Sequence, residues 1–378
     1  MASIAELTRD EEGRLSLTGA RLKTAVLGAT GIVGQQLIRM LKAHPWFDVV
    51  ALAASHNSAG QSYRRAMDGR WSMNFEMPEH LAAQEVYDVR EVDRIARGVD
   101  VAFCALNLDK ESIRRLEHSY AERGVWVTSN NSAFREDAFV PMVIPAVNPQ
   151  HLYVIGAQRA ARGYETGAIL VKSNCSIQSY VIALEPLREF GIEKIMVHSE
   201  QAISGAGKTF QTWPEMERNL IPLINGEEKK SETEPLKIWG TVGGDGIASS
   251  SSGPKIRARC VRVAVQDGHT AYVLVQFKNT PSKGEILSRW ERYARSQDLP
   301  SAPRKLIHYL TEPDRPQPLL DVMRENGMAV SIGQLEVDET DGLVSFTALT
   351  HNVLLGAAGG AVWATEAALA RGLLYRRV

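Results

Sequence analysis

The stretch Thr24 to Pro45, TAVLGATGIVGQQLIRMLKAHP, decides the fold. It opens on a short apolar run, turns through Gly28, Gly31 and Gly34, and continues with Ile32, Val33, Leu37, Ile38 and Leu41 at helical spacing. That is a strand, a tight glycine turn and a helix. Without side chains, Gly28 can turn sharply, Gly31 can let a pyrophosphate approach the backbone, and Gly34 can let helix and strand pack closely. The free amides and positive end of the helix then face the phosphates, which predicts a dinucleotide site at Gly28, Thr30, Gly31, Ile32 and Val33.

Working outward, DVVALAAS (48–55), VDVAFCAL (99–106) and VWVTSN (125–130) read as further buried strands, with helical patterns such as KESIRRLEHSYAERG between them. Continuous apolar runs alternating with amphipathic helices predict a doubly wound parallel sheet of the Rossmann type. The character changes near residue 172. KIMVHSEQAI, ARCVRVAVQ, TAYVLVQF, MAVSIGQLEV and LVSFTALT are longer and alternate. They predict a second, α+β domain with a mixed, largely antiparallel sheet, catalytic and dimer-forming. The expected division is 1–172 with 351–378 for the dinucleotide domain, whose C-terminal helix packs back, and 173–350 for the second.

The chain has 378 residues, 44% hydrophobic and 23% charged, with a formal net charge of -1. This balance gives no overall attraction to nucleic acid or anionic membrane, so the expected partners are a small-molecule substrate and copies of the chain. The charged N-terminus lacks a secretory core, and the apolar C-terminal stretch carries Glu366 and Arg371, which reads as a packed helix rather than a span. Three widely spaced cysteines, Cys104, Cys175 and Cys260, suit a reducing cytoplasm, the expected location. No metal site is expected.

The second strand ends in Ser55, His56, Asn57 and Ser58, with no carboxylate to repel a 2′-phosphate. NADP is therefore the expected cofactor, with NAD open, and Ser55 and Ser58 are candidate contacts. VKSNCSIQ (171–178) sets Cys175 among polar residues at a strand's exit, where the helix SIQSYVIALEPLREF is expected to begin. A helix start stabilises anions, which predicts a lowered thiol pKa and a nucleophile. His269 in QDGHTAYV is a candidate proton partner, and Arg262, within an apolar strand pattern, is a candidate anion grip. QAISGAG (201–207) reads as a glycine-loosened turn able to approach a ligand, whereas NGEEKKSETE (225–234) reads as a solvated charge run.

Together these residues resemble the aspartate-semialdehyde dehydrogenase family, in its archaeal and fungal branch. The resemblance runs from Lys23 to the C-terminus through GATGIVGQ, SNNSAFR, VIPAVNP, SNCS, QAISGAG, GEEKK, GMAVSIG and HNVLLGAAG. It implies Cys175 as nucleophile, His269 as acid/base and Gln201 as the residue orienting the acyl group. It also implies Arg262 for the substrate carboxylate, Glu227 for its amino group, Arg135 and Lys230 for phosphate, and Asn174 near the phosphate and acyl oxygens. Ser204, Gly205 and Asn352 fall at the cofactor. The implied reaction is reversible NADP-dependent reductive dephosphorylation of L-aspartyl-4-phosphate to L-aspartate-4-semialdehyde by a homodimer or homotetramer. A CoA-linked reductase such as malonyl-CoA reductase and a non-catalytic nucleotide-binding protein are the alternatives. Asn57 stands where related chains carry an arginine for the 2′-phosphate, which keeps NAD in play.

Overall fold

The computed structural model describes residues 2–9, 15–73, 75–293 and 298–377. The glycine stretch forms strand β1 (Leu22–Leu27) followed by helix α1 (Ile32–Leu41). Strands β2 (Phe47–Ala54), β3 (Val86–Asp88), β4 (Val101–Cys104), β5 (Trp126–Ser129) and β6 (Ala168–Val171) complete a six-stranded sheet in the order β3-β2-β1-β4-β5-β6. Every neighbouring pair is parallel, and β4, β5 and β6 are buried at every position, which is why they read as unbroken apolar runs. Helix α2 (Lys110–Glu122) starts under an Asp109 cap that accepts from the Ser112 amide.

The glycine turn is sterically required. Gly28 has a φ of 93°, and a Cβ on Gly34 would lie 2.2 Å from the Gly28 carbonyl oxygen. Gly31, by contrast, meets only the Gly28 oxygen at 3.6 Å, so its outer side is open. The Tyr63 hydroxyl donates to the Ala29 carbonyl at 2.7 Å and holds the turn from behind.

A second sheet is built from β7 (Ile192–Gln201), β8 (Leu220–Ile221), β9 (Lys255–Val263), β10 (His269–Phe277), β11 (Ile307–Tyr309), β12 (Val330–Asp338) and β13 (Leu343–Thr350). Its order is β8-β9-β7-β10-β13-β12-β11, and four of its six neighbouring pairs are antiparallel. Period-two alternation turns Ile195, Val197, Ser199 and Gln201 of β7 to one buried face, with Cys260 and Arg262 of β9 and His269, Ala271 and Val273 of β10 also buried. Helix α3 (Gln178–Leu184) packs on this sheet, and α4 (Glu227–Ile238) lies against β9.

The C-terminal helix α5 (Gly359–Leu369) is buried along its length and packs against α1 and β5. Its Glu366 is buried but satisfied: one oxygen meets His44 Nε2 at 2.7 Å, and the Ser301 amide donates to both oxygens at 3.1 Å. No helix among the described residues is long and apolar enough to cross a membrane. At the charged N-terminus, Ala2–Ile4 pairs antiparallel with Tyr375–Arg377. Gly34→Ala is expected to lower unfolding free energy by about 2 kcal/mol, because the new methyl meets backbone that cannot swing away. Chemical denaturation checks this; an unchanged midpoint contradicts the close approach.

Candidate active site

The ends of β7 and β9 and the start of β10 converge. Gln201 is in register with Arg262 on one side, and Glu200 with Thr270 on the other, so Gln201, Arg262 and His269 meet at one corner of the inner face. The loop leaving β6 brings Cys175 to that corner, with its Sγ 3.3 Å from His269 Nε2 across 94 residues of sequence. A wide π-helical turn, Leu354–Ala358, passes directly behind, where a Cβ on Gly356 would fall 2.8 Å from that of Cys175.

A cleft of about 390 Å³ runs from Cys175 to Val33 at the start of α1. Gln201, Arg262, Arg135, Lys230, Glu227, Asn174, Ser204, Gly205 and Asn352 all line it. The remaining cofactor candidates, Gly28, Thr30, Gly31 and Ile32, form the glycine turn, with Ser55 and Ser58 at the end of β2. The turn suits a dinucleotide: α1 has no side-chain cap and no acidic residue in its first turn, so its amides and the open side of Gly31 are available to phosphate.

Arg262 donates to the Ala202 carbonyl at 2.7 Å and has no carboxylate partner among the described residues, leaving donors for a ligand. Gln201 Nε2 is buried and has no hydrogen-bond partner among the described residues. Lys230 and Asn174 Nδ2 both donate to Glu227, at 2.6 and 2.8 Å. The charge run is thus a face of α4 turned into the cleft. Asn352 donates to Ser204 Oγ at 2.8 Å and accepts from the Gly268 amide at 2.9 Å.

Two expectations are corrected. Helix α3 begins at Gln178, three residues beyond Cys175, and the Asn174 and Ser176 amides are occupied, by Glu234 at 2.6 Å and by the Asn174 side chain at 2.8 Å. The thiol is also not acidified. Burial, reinforced by Glu227, pushes it up to about 12 against the opposing pull of Arg135, Arg262 and Lys230. Burial and then Arg262 bring His269 down to about 3. The resting pair is therefore neutral thiol and neutral imidazole.

Several site residues were not singled out from sequence. Glu234 bridges Arg135, at 2.9 Å, and the Asn174 amide, at 2.6 Å, and so ties that arginine to the cysteine loop. It lies seven residues after Glu227, on the same helical face, and that spacing was the available signal. Lys237 donates to the carbonyls of Arg135, Asp137 and Val140 at 2.8, 2.6 and 2.8 Å, securing the loop that carries Arg135. Asp88 ends β3 in register with Ala54, and Arg90 holds its carboxylate through Nε at 2.9 Å and Nη2 at 2.6 Å.

Two family models match the chain: "Semialdehyde dehydrogenase, NAD binding domain" over residues 23–155 and "Semialdehyde dehydrogenase, dimerisation domain" over 184–355. Aspartate-semialdehyde dehydrogenase of Archaeoglobus fulgidus is 40% identical over 92% of this chain and 97% of its own length. The chain belongs to the aspartate-semialdehyde dehydrogenase family. The Aspergillus fumigatus member is 38% identical over 93% of the chain and 98% of its own. A crystal structure of the Candida albicans aspartate-semialdehyde dehydrogenase with NADP superposes with a TM-score of 0.81 at 36% identity, covering 94% of this chain and all of that one.

Because the thiol is held above its usual range, its thiolate fraction is small at neutrality and grows with pH. Alkylation of Cys175 by iodoacetamide in the substrate-free protein is expected to accelerate through about pH 9 without a plateau. A plateau reached near neutral pH would indicate a preformed thiolate–imidazolium pair and contradict the neutral one.

Proposed function

We propose that this family member catalyses the reversible, NADP-dependent reductive dephosphorylation of L-aspartyl-4-phosphate to L-aspartate-4-semialdehyde through a thioester on Cys175. The observation that carries this is the 3.3 Å contact between Cys175 Sγ and His269 Nε2, beside a cleft that holds cations and reaches the start of α1.

Gly28, Thr30, Gly31, Ile32, Val33, Ser55 and Ser58 would hold the phosphates and ribose of the dinucleotide, and Ser204, Gly205 and Asn352 its nicotinamide end. When bound, the cofactor supplies the hydride that reduces the acyl group. The missing carboxylate after β2, together with neutralisation of the neighbouring Asp88 by Arg90, supports NADP. Arg135 and Lys230 receive the phosphate, Arg262 the α-carboxylate and Glu227 the ammonium. Each of these charges exists on one aspartyl phosphate. Gln201, with its buried unpartnered amide nitrogen, orients the acyl oxygen. Cys175 attacks the acyl carbon as His269, 3.3 Å from its sulfur, takes the thiol proton, and phosphate departs toward Arg135 and Lys230.

The dinucleotide part would comprise 1–172 with 351–378, and the catalytic and dimer-forming part 173–350. The outer face of the second sheet, with Met196 and Tyr272 exposed, offers a surface for a second copy in a homodimer or a tetramer built from it. The three free cysteines accord with a cytoplasmic enzyme.

Oxidation of aspartate semialdehyde should require phosphate or arsenate and run faster with NADP than with NAD. Cys175→Ala should lose at least about 10³-fold in rate, and Arg262→Leu about 10²-fold in kcat/KM for the semialdehyde. Turnover with CoA and none with phosphate would move the protein to acyl-CoA chemistry; full activity in Cys175→Ala would remove the mechanism.

A further inference from the structure

We infer that a second cavity, on the far side of Arg135 and Lys230, is a phosphate port: inorganic phosphate reaches the acylated cysteine, and leaves it, through this basic chamber and not through the end of the cleft given to the cofactor. The inference rests on the dehydrogenase reading and gives Lys110 and Lys229 a part in phosphate capture.

The chamber, about 680 Å³, adjoins the catalytic cleft and shares Ser132, Arg135 and Lys230 with it. Those three residues form the partition between the two spaces. The carboxylates that hold the two cations are divided across it. Glu227, which accepts from Lys230 at 2.6 Å, lines the cleft, and Glu234, which accepts from Arg135 at 2.9 Å, lines the chamber. Arg135 Nε is buried and has no hydrogen-bond partner among the described residues, so the guanidinium at the partition keeps a free donor.

Charge in the chamber has one dominant sign. Lys110, Lys229 and Lys237 join Arg135 and Lys230 there, against Glu136 and Glu234. Lys237 gives its three N–H donors to the carbonyls of Arg135, Asp137 and Val140, so it supplies positive potential and no contact. Lys110 and Lys229 differ from it. Both are exposed, and among the described residues neither has a carboxylate partner. They mark the solvent side of the chamber, with their ammonium donors free. A concave surface of one sign concentrates the opposite ion and speeds its capture.

The loaded cleft offers no comparable route. Its other end is formed by Val33, Ser204, Gly205 and Asn352, the residues assigned to the cofactor, and its 390 Å³ must also hold the acyl group. In the oxidative direction the thioester forms before phosphate is needed. Hydrogen phosphate then attacks: a phosphate oxygen bonds to the acyl carbon, the C–S bond breaks, and the proton of hydrogen phosphate passes through His269 to the sulfur. The reactant that arrives last is a small dianion, and the cations that receive it are the ones with the chamber behind them.

The test neutralises and then reverses the two outer charges, in Lys110→Gln/Lys229→Gln and Lys110→Glu/Lys229→Glu, and follows oxidation of aspartate semialdehyde at varied phosphate. The kcat/KM for phosphate should fall about tenfold in the first variant and about 10²-fold in the second, within the range that electrostatic capture spans. The KM values for the semialdehyde and for NADP should stay within about twofold of the parent's. The burst of NADPH formed without phosphate, which reports thioester formation alone, should keep its rate and amplitude. A phosphate kcat/KM unmoved in the reversed variant, or one that falls only in step with that for NADP, overturns the port. Failure of the underlying reading looks different: the parent itself would show no phosphate-dependent reduction of NADP.

Discussion

A sulfur and an imidazole meet at 3.3 Å between two sheets, and that contact depends on how the two sheets are packed together. Cys175 belongs to the loop leaving the parallel sheet, His269 to the first residue of a strand in the mixed sheet. Neither sheet contains the site alone. The contact holds only if α3 seats on the inner face of the second sheet and the turn at Leu354–Ala358 closes behind the cysteine loop, as Gly356 permits. Packing of apolar surface therefore fixes the chemistry's geometry, and the polar residues occupy the single corner where the inner face runs out of strand.

Desolvation sets the electrostatics of that corner. It raises the thiol and lowers the imidazole, disfavouring charge on either partner, so the resting pair stays neutral. The flanking ions are largely matched with one another: Arg135 with Glu234, and Lys230 with Glu227. Arg262, bonded only to a backbone carbonyl among the described residues, is left as the cation without a carboxylate. On the proposed function, an anionic substrate would be recognised by exchange of existing partners and by one unmatched guanidinium. Leaving such a charge buried without a ligand is costly, which is the physical reason to expect one.

Much of the architecture was legible because the two periodicities differ so plainly. The run TAVLGATGIVGQQLIRML switches from an apolar strand to helical spacing across three glycines, whereas the strands after residue 190 alternate, and alternation carries Gln201, Cys260, Arg262 and His269 inward. What stayed hidden depends on tertiary context. The stretch NGEEKKSETE looks solvated because its composition is charged, yet helix formation turns Glu227, Lys230 and Glu234 to one side, and β9 and the cysteine loop cover that side. Asp88 escaped because its relevance comes from register beside β2, not from proximity in sequence. The thiol's acidity was misjudged for a related reason: distance from a helix start can be guessed from sequence, but burial cannot.

The most direct measurement is mass spectrometry of the protein mixed with L-aspartyl-4-phosphate in the absence of cofactor. An acyl adduct confined to the peptide carrying Cys175, and discharged when NADPH is added, is the predicted result. A protein that stays unmodified, or one acylated at Cys104 or Cys260 instead, would contradict covalent catalysis at this cleft.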